Sequence, residues 1–355
     1  MKTLRLAVDP AHFESAEAIE AIAQAAEILR SGGLVALPTE TVYGLGANAL
    51  DPEAVARIFA AKLRPAWDPV IVHIAGPVFQ NPMLDSLVTE LAPAVLGLMH
   101  EFWPGPLTLL LPRTAAVPDA VTAGRSLVGV RMPAHPVAFE LIRQAGVPVA
   151  APSANVFGRI SPTTADHVLD DLDGRIDAIL DAGPTQHGVE STVLDPNQSP
   201  MIIYRPGAIT ANQIRDVVGP VDYFESPRMP PQSLPGEALP SPGVGLRHYA
   251  PNAQLMLFEA PLAELPSLFT KVAASHPGER LGLMLPAELA ASAPPSAAVY
   301  PWGRWANPEE LATNLYAGLR ALDALGCTVI LCPLPPAEGL GAAIRDRLRR
   351  ATQSA

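Results

Sequence analysis

Two cations stand two residues apart in the stretch KLRPAWDPVIVHI, residues 62–74, and one histidine, His73, follows inside its apolar run. Lys62 falls at the end of an expected helix, where the helix dipole favours a cation in any protein. That accounts for one charge and leaves the other. Pro65 biases Arg64 toward an extended backbone, in which residues i and i+2 point the same way, so both cations are expected to face one anion. Arginine offers a planar fork for phosphate or carboxylate, and lysine a mobile point charge. His73, alone in mid-strand, reads more readily as a satisfied core residue than as a ligand.

The stretch APSAN, residues 151–155, repeats the spacing with neutral groups. Ser153 and Asn155 share a face at the carboxyl end of an apolar strand, where open α/β sheets bind ligands. The same two residue types are ordinary turn formers. Ser161-Pro162 is expected to begin a helix whose free N–H groups form an anion site, although a helix start takes a capping serine in any case. Arg131 ends the strand LVGVR, Arg205 ends MIIYR, and Ser191 begins STVLD. Arginines repeated at apolar strand ends, in a chain of formal net charge −11, point to a cationic cavity. GLGANA at 44–49 matches a dinucleotide fingerprint, but PTETVY separates it from its strand and the helix cap comes later, at Asp51. Those glycines read as a tight turn with close backbone packing. There is no P-loop, no HExxH and no carboxylate pair spaced for acid–base work. The chemistry implied is anion binding and positioning without a covalent nucleophile.

These residues need a sheet to hold them. Residues 14–31 place Ile19, Ile22, Ala23, Ala26 and Leu29 on one helical face, closed by Gly32-Gly33. Strands are expected at 34–38, 70–74, 107–111 and 127–131, in VPVAA before PSAN, and in AILDAG, STVLD and MIIYRPG. Asp51-Pro52 marks a helix start, and another helix spans about 136–145. Fully apolar strands among helices imply a covered sheet, and consecutive late strands without helices between them imply a mixed one. After residue 218 the chain becomes rich in proline and glycine, with Arg247, His248 and Tyr249 clustered near the end of that stretch. Beyond it, strands and helices alternate in the pattern of a small doubly wound parallel sheet. The expected organisation is a catalytic domain at 1–218, a linker at 219–252 and a second domain at 253–355.

Of 355 residues, 49% are hydrophobic and 17% charged, ample for packed cores. The acidic balance argues against wholesale binding to nucleic acid. Two cysteines, Cys327 and Cys332, form neither a disulfide framework nor a metal motif. With no leader-like N-terminus and no apolar run of roughly 18–20 residues, a cytoplasmic protein without membrane segments is expected.

The motifs PTETVYGLG, KLRP with PVIVH, FWPGPLT, VGVRMP, APSAN with SPT, GVESTV and RPG occur in the order of the Sua5/YrdC/YciO family, and the chain resembles that family over nearly its whole length. SPGVGLRHYAP followed by a small α/β domain resembles its two-domain Sua5 branch. The resemblance implies a YrdC-like twisted mixed sheet around a concave cationic cavity, plus a small Rossmann-like second domain. It implies an L-threonylcarbamoyladenylate synthase, a nucleotidyltransferase that joins L-threonine, bicarbonate and ATP, with Mg²⁺, into threonylcarbamoyl-AMP and pyrophosphate. A separate transferase complex would then modify adenosine 37 of tRNA. By position, the family's signature falls on Lys62, Arg64, Ser153 and Asn155. Its threonine contacts fall on Thr39, His73, Arg131, Ala151 and Ser191, and its ATP contacts on Arg64, Asp68, Ser153, Ser161, Arg205 and Tyr249. Residues 241–251 are expected to fold over the cavity as a lid. Leu63, Val70, Val244 and Leu246 depart from the family's usual residues. An RNA-binding module of the same fold, without adenylation, is the competing reading.

Overall fold

A computed structural model describes residues 2–224, 239, 241 and 249–352. Most of the expected lid, with Val244, Leu246, Arg247 and His248, lies outside the described residues. Those that are described form two compact units. One comprises the described residues of 1–157, 162–185 and 190–245; the other takes in Gly158–Ser161 and Gln186–Val189 as well as the described residues of 246–355.

In the first unit the elements run β1 (Leu4–Ala7), α1 (Ala16–Arg30), β2 (Val35–Leu37), β3 (Gly44–Asn48), α2 (Pro52–Lys62), β4 (Ile71–His73), α3 (Pro82–Leu87), α4 (Pro93–Phe102), β5 (Leu107–Pro112) and α5 (Asp119–Thr122). They continue through β6 (Leu127–Arg131), α6 (Pro136–Ala145), β7 (Val149–Ala150), α7 (Ala165–Leu172), β8 (Ala178–Asp181), β9 (Thr192–Asp195), β10 (Met201–Arg205), α8 (Ala211–Val218) and β11 (Val221–Tyr223). The strands join one sheet in the order β1-β8-β2-β3-β7-β4-β6-β5-β9-β10-β11. It is mixed, as the pattern predicts: β4 runs parallel to β6 and β5 to β9, while β3, β7 and β4 alternate in direction.

Local chemistry sets the elements that carry the site. Asp51 caps α2 by accepting from the amides of Glu53 and Ala54, with Pro52 in the first turn, where its missing N–H costs nothing. The helix ends because Leu63 turns into the left-handed region, at φ 54°. Its buried face is Ala54, Val55, Ile58, Ala61 and Lys62. GLGANA is not the tight turn its glycines suggest but largely the strand β3. A side chain at Gly46 would come within 2.9 Å of both Leu37 and Val149 on the flanking strands, so the glycine serves close packing within the sheet.

A second difference concerns Ser161-Pro162. The helix there starts three residues later than expected, at Ala165, with Thr164 as its cap accepting from the amide of His167. Pro162 and Thr163 cannot join a first helical turn, because their carbonyls accept from the amides of Tyr43 and Thr185. The helix N-terminus predicted at Ser161 as an anion site is therefore absent.

In the second unit, β12 (Gln254–Phe258), α9 (Leu265–Ser275), β13 (Leu281–Pro286), β14 (Ala298–Gly303), α10 (Pro308–Ala324), β15 (Val329–Pro333) and α11 (Leu340–Ala351) follow. The sheet order is β12-β15-β13-β14, parallel throughout. The expected helix after LGLML is a 3₁₀ segment, Ala287–Ser292. Among the described residues, no helix is long and apolar enough to cross a membrane.

Candidate active site

The register of the first sheet lines up polar side chains that are far apart in sequence. His73 on β4 lies beside Arg131 on the parallel strand β6. Next come β5, which carries Thr108, then β9, preceded by Ser191, then β10, which ends at Arg205. Two residues back along these strands, Ile71, Leu110 and Val193 pack into a small apolar cluster with half-buried Leu127 and Tyr204. Apolar strand interiors thus fix the sheet, and its ends present the charges.

Arg131 is 3% exposed and held on three sides. Its Nη2 lies 2.7 Å from the buried Glu40 carboxylate, Nη1 donates to Thr41 Oγ1 at 3.0 Å, and Nε donates to the carbonyl of Gly105. Burial opposes a charge on Glu40, but the charge and contact of Arg131, with backbone amides, outweigh it and hold the carboxyl below its usual value. The hydroxyl of Thr39 is spent inside its own turn: it donates to the carbonyl of Val42 at 2.6 Å and pairs with Thr41 Oγ1 at 2.8 Å.

Burial, reinforced by the charge of Arg131, pushes the His73 imidazole down to about 3, so the ring is neutral at physiological pH. In the unfolded chain the same ring takes up a proton below about 6.5. Between about 3 and 6.5 the unfolded state therefore binds more protons, and stability is lost as pH falls through that window. On urea unfolding, the wild type should lose about 2 kcal/mol more than a His73→Gln variant between pH 7 and about pH 5. Equal losses would mean that His73 titrates normally.

At β10, Arg205 donates from Nε and Nη2 to the carbonyl of Ser191, and from Nη2 to Ser191 Oγ at 3.0 Å. Gly207 lets the two segments close. A Cβ there would stand 2.4 Å from Glu190 O and from Thr192 N, both backbone atoms that cannot swing aside. Gly207→Ala should therefore cost about 1–3 kcal/mol and displace Ser191, read as a lowered thermal midpoint together with weakened substrate binding.

Lys62 and Arg64 do not form the extended pair expected. Left-handed Leu63 separates them, and each has its own partners. The Lys62 ammonium is 1% exposed and donates to the carbonyls of Ser153 and Asn155, both at 2.5 Å, while its own carbonyl accepts from the amide of Phe157. Lys62 thus clips the turn that follows β7, and a bridge from Gly44 to Ser153 holds its other side. Burial first, and the nearby Arg64 charge second, hold its pKa well below the usual lysine value, against the pull of Asp68 and Asp171. Arg64 pairs with the buried Asp68 carboxylate at 3.0 Å, donates to the Pro69 carbonyl at 2.7 Å, and lies over the Phe157 ring. Asn155 is buried and donates to the carbonyl of Val156. Ala151 donates its amide to Ile71, which joins this turn to β4.

Two predicted contacts lie in the second unit. Ser161 is fully buried there. Tyr249 is 4% exposed, stacked on Tyr316 with ring centroids 5.7 Å apart and covered by the Arg347 guanidinium at 5.3 Å. Glu40 and Thr108 escaped the sequence reading. For Glu40 a signal was present, an acid inside the otherwise neutral, buried stretch PTETVY.

Arg131 and Arg205 ending strands of a mixed, helix-covered sheet, with Lys62 and Arg64 at the end of α2, define an α/β protein with a set of buried cations. A sequence profile of the Sua5/YciO/YrdC family, described as "Telomere recombination", matches residues 27–207, and a second, "Threonylcarbamoyl-AMP synthase, C-terminal domain", matches residues 209–353. The chain is 42% identical to a Pyrococcus abyssi protein named threonylcarbamoyl-AMP synthase, over 92% of this chain and 93% of that one. A Bacillus subtilis protein of the same name is 43% identical over 99% and 98%. The crystal structure of P. abyssi Sua5 complexed with L-threonine superposes with a TM-score of 0.86 at 38% identity, covering 99% of this chain and 98% of that one. The chain belongs to the Sua5/YciO/YrdC family and has both domains of its Sua5 branch.

Proposed function

We infer that the protein is an L-threonylcarbamoyladenylate synthase. The observation that carries this is identity of 42–43% over nearly the whole chain to two proteins of that name. The substrates we propose are L-threonine, bicarbonate and ATP. The threonine amine condenses with bicarbonate, releasing water. A carbamate oxygen then bonds to the α-phosphorus as the bond to the bridging oxygen breaks, and pyrophosphate leaves with that electron pair.

The carbamate and the triphosphate are both anions, so bringing them together requires cations. Arg131, fixed by Glu40, is placed to take the threonine carboxylate, and neutral His73 beside it can hold a polar group without adding charge. Arg64 and Arg205 are the guanidinium groups for the phosphates. Lys62 shapes the Ser153–Asn155 turn that we place beside the reacting oxygens. Mg²⁺ would enter with ATP and neutralise phosphate charge. The acids nearest these cations, Asp68 and Glu40, are already paired with Arg64 and Arg131, which suits an ion held by phosphate oxygens and water. Residence in the cytoplasm and hand-over of the product to a tRNA-modifying transferase complete the proposal.

Threonine-, bicarbonate- and ATP-dependent release of pyrophosphate, with a product of the mass of threonylcarbamoyl-AMP, is the expected result. Salt-dependent RNA binding without pyrophosphate release would overturn it in favour of an RNA-binding module.

A further inference from the structure

We propose that the second unit positions the chain segment ending at Ser161 through one face of α10, with Arg320 as the residue that fixes its main chain. The proposal rests on the function given above only for the ligand expected at Ser161, ATP.

The helix α10 has two unlike faces. Leu311, Gly318 and Leu322 share one. That face packs on the sheet: a Cβ at Gly318 would come within 2.6 Å of Met284 on β13 and of Tyr300 on β14. Thr313, Tyr316, Arg320 and Asp323 recur at helical spacing on the opposite face. Arg320 Nη2 donates to the Ile160 carbonyl at 2.5 Å. Tyr316 carries the stacked ring of Tyr249. The Asp323 carboxylate accepts from the amides of Asn252 at 2.7 Å and Ala253 at 3.0 Å. Beside Thr313 the helix backbone receives Gly188, where a Cβ would stand 2.4 Å from Ala312 O and 2.5 Å from Thr313 Cα. One helical face thus holds three segments that chain order alone would scatter, 158–161, 186–189 and 249–253, all within the second unit.

Two of those segments also hold each other. The Ala250 amide donates to the Gly158 carbonyl at 2.9 Å, and a bridge joins Arg159 to Ala250. The Arg320 contact has a consequence of its own. A guanidinium can only donate and a carbonyl can only accept, so the sense of the bond is fixed. The Ile160 carbonyl and the Ser161 amide belong to one planar peptide unit and point opposite ways. Holding the oxygen therefore sets the direction of the Ser161 N–H. Ile160 is 3% exposed and Ser161 0%, so a lost donor is not readily replaced by water. Arg320 acts on the Ser161 peptide without needing to touch a ligand.

The test uses the full chain in two arms. Arg320→Met keeps the length of the side chain and removes the donor; Arg320→Lys returns one. By titration calorimetry, Arg320→Met should weaken ATP binding about tenfold and leave threonine binding within about twofold. Arg320→Lys should recover most of the loss. Unchanged ATP affinity would overturn the proposal, as would equal losses for both ligands or failure of the lysine to rescue.

The second arm needs no ligand. Amide exchange read residue by residue should be about tenfold faster at Ala250 in Arg320→Met, because Ala250 is bonded to the loosened segment. Asn252 and Ala253, which Asp323 holds, should stay within about twofold of the wild type. Unchanged exchange at Ala250 would overturn the proposal, and so would an equal rise at all three, which would mean a general loosening. A wild type that forms no product would sink the functional reading, while this arm still decides whether Arg320 holds the segment.

Discussion

Replacing Arg131 by methionine is expected to destabilise the first unit by about 3–5 kcal/mol, because it leaves the Glu40 carboxylate buried without its countercharge. Most of that penalty belongs to the stranded acid, so adding Glu40→Gln to the variant should recover much of it. The pH dependence should also reverse. In the wild type the Glu40 carboxyl is held below its usual value, so its contribution is present above about pH 4.5 and is lost as pH falls. Without Arg131, burial acts against the charge with less opposition and the folded value rises. That contribution is then present at low pH and lost as pH climbs past about 4.5. Urea unfolding of both proteins between about pH 4 and 7 checks the sign. Parallel curves would mean that the pair is not coupled as the 2.7 Å contact indicates.

The second large effect falls on Lys62. Lys62→Met should lower kcat by about 10²–10³, the loss typical when a preorganised donor to developing charge is removed. Two effects combine: the carbonyls of Ser153 and Asn155 lose their clip, and a cation disappears beside Arg64. Stability should change far less than kcat, because removing a buried ammonium also removes its desolvation penalty. Lys62→Arg should not rescue, since a planar guanidinium cannot converge on two carbonyls within the space of an ammonium. Activity within tenfold of wild type would leave the lysine as a structural clip and shift the catalytic burden to Arg64 and Arg205.

Much of this protein was legible as local pattern. Asp51-Pro52 announced α2, because capping and proline at the first helical position act within one turn of chain. The apolar runs at 70–74, 107–111 and 127–131 announced buried strands, and the alternation beyond residue 253 announced a parallel sheet. The helix start misread at Ser161-Pro162 shows the limit. Its local signal was sound, yet the Pro162 carbonyl answers an amide more than a hundred positions away, Tyr43, and Thr164 took the cap instead.

The sequence by itself determined which side chains stand at strand ends, because strands buried on both faces read as continuous apolar runs and leave charges where the run stops. It also carried the ordered motifs of the family. What those side chains touch was decided by tertiary structure alone. Lys62 reaches carbonyls 91 and 93 residues away, Arg131 meets Glu40 and Thr41 across the sheet, and Thr108 meets Ser191 across 83 residues. The reason is physical: periodicity and capping encode what happens within a turn or a strand, whereas strand order and register choose the partner of a buried polar atom, and no local pattern contains them.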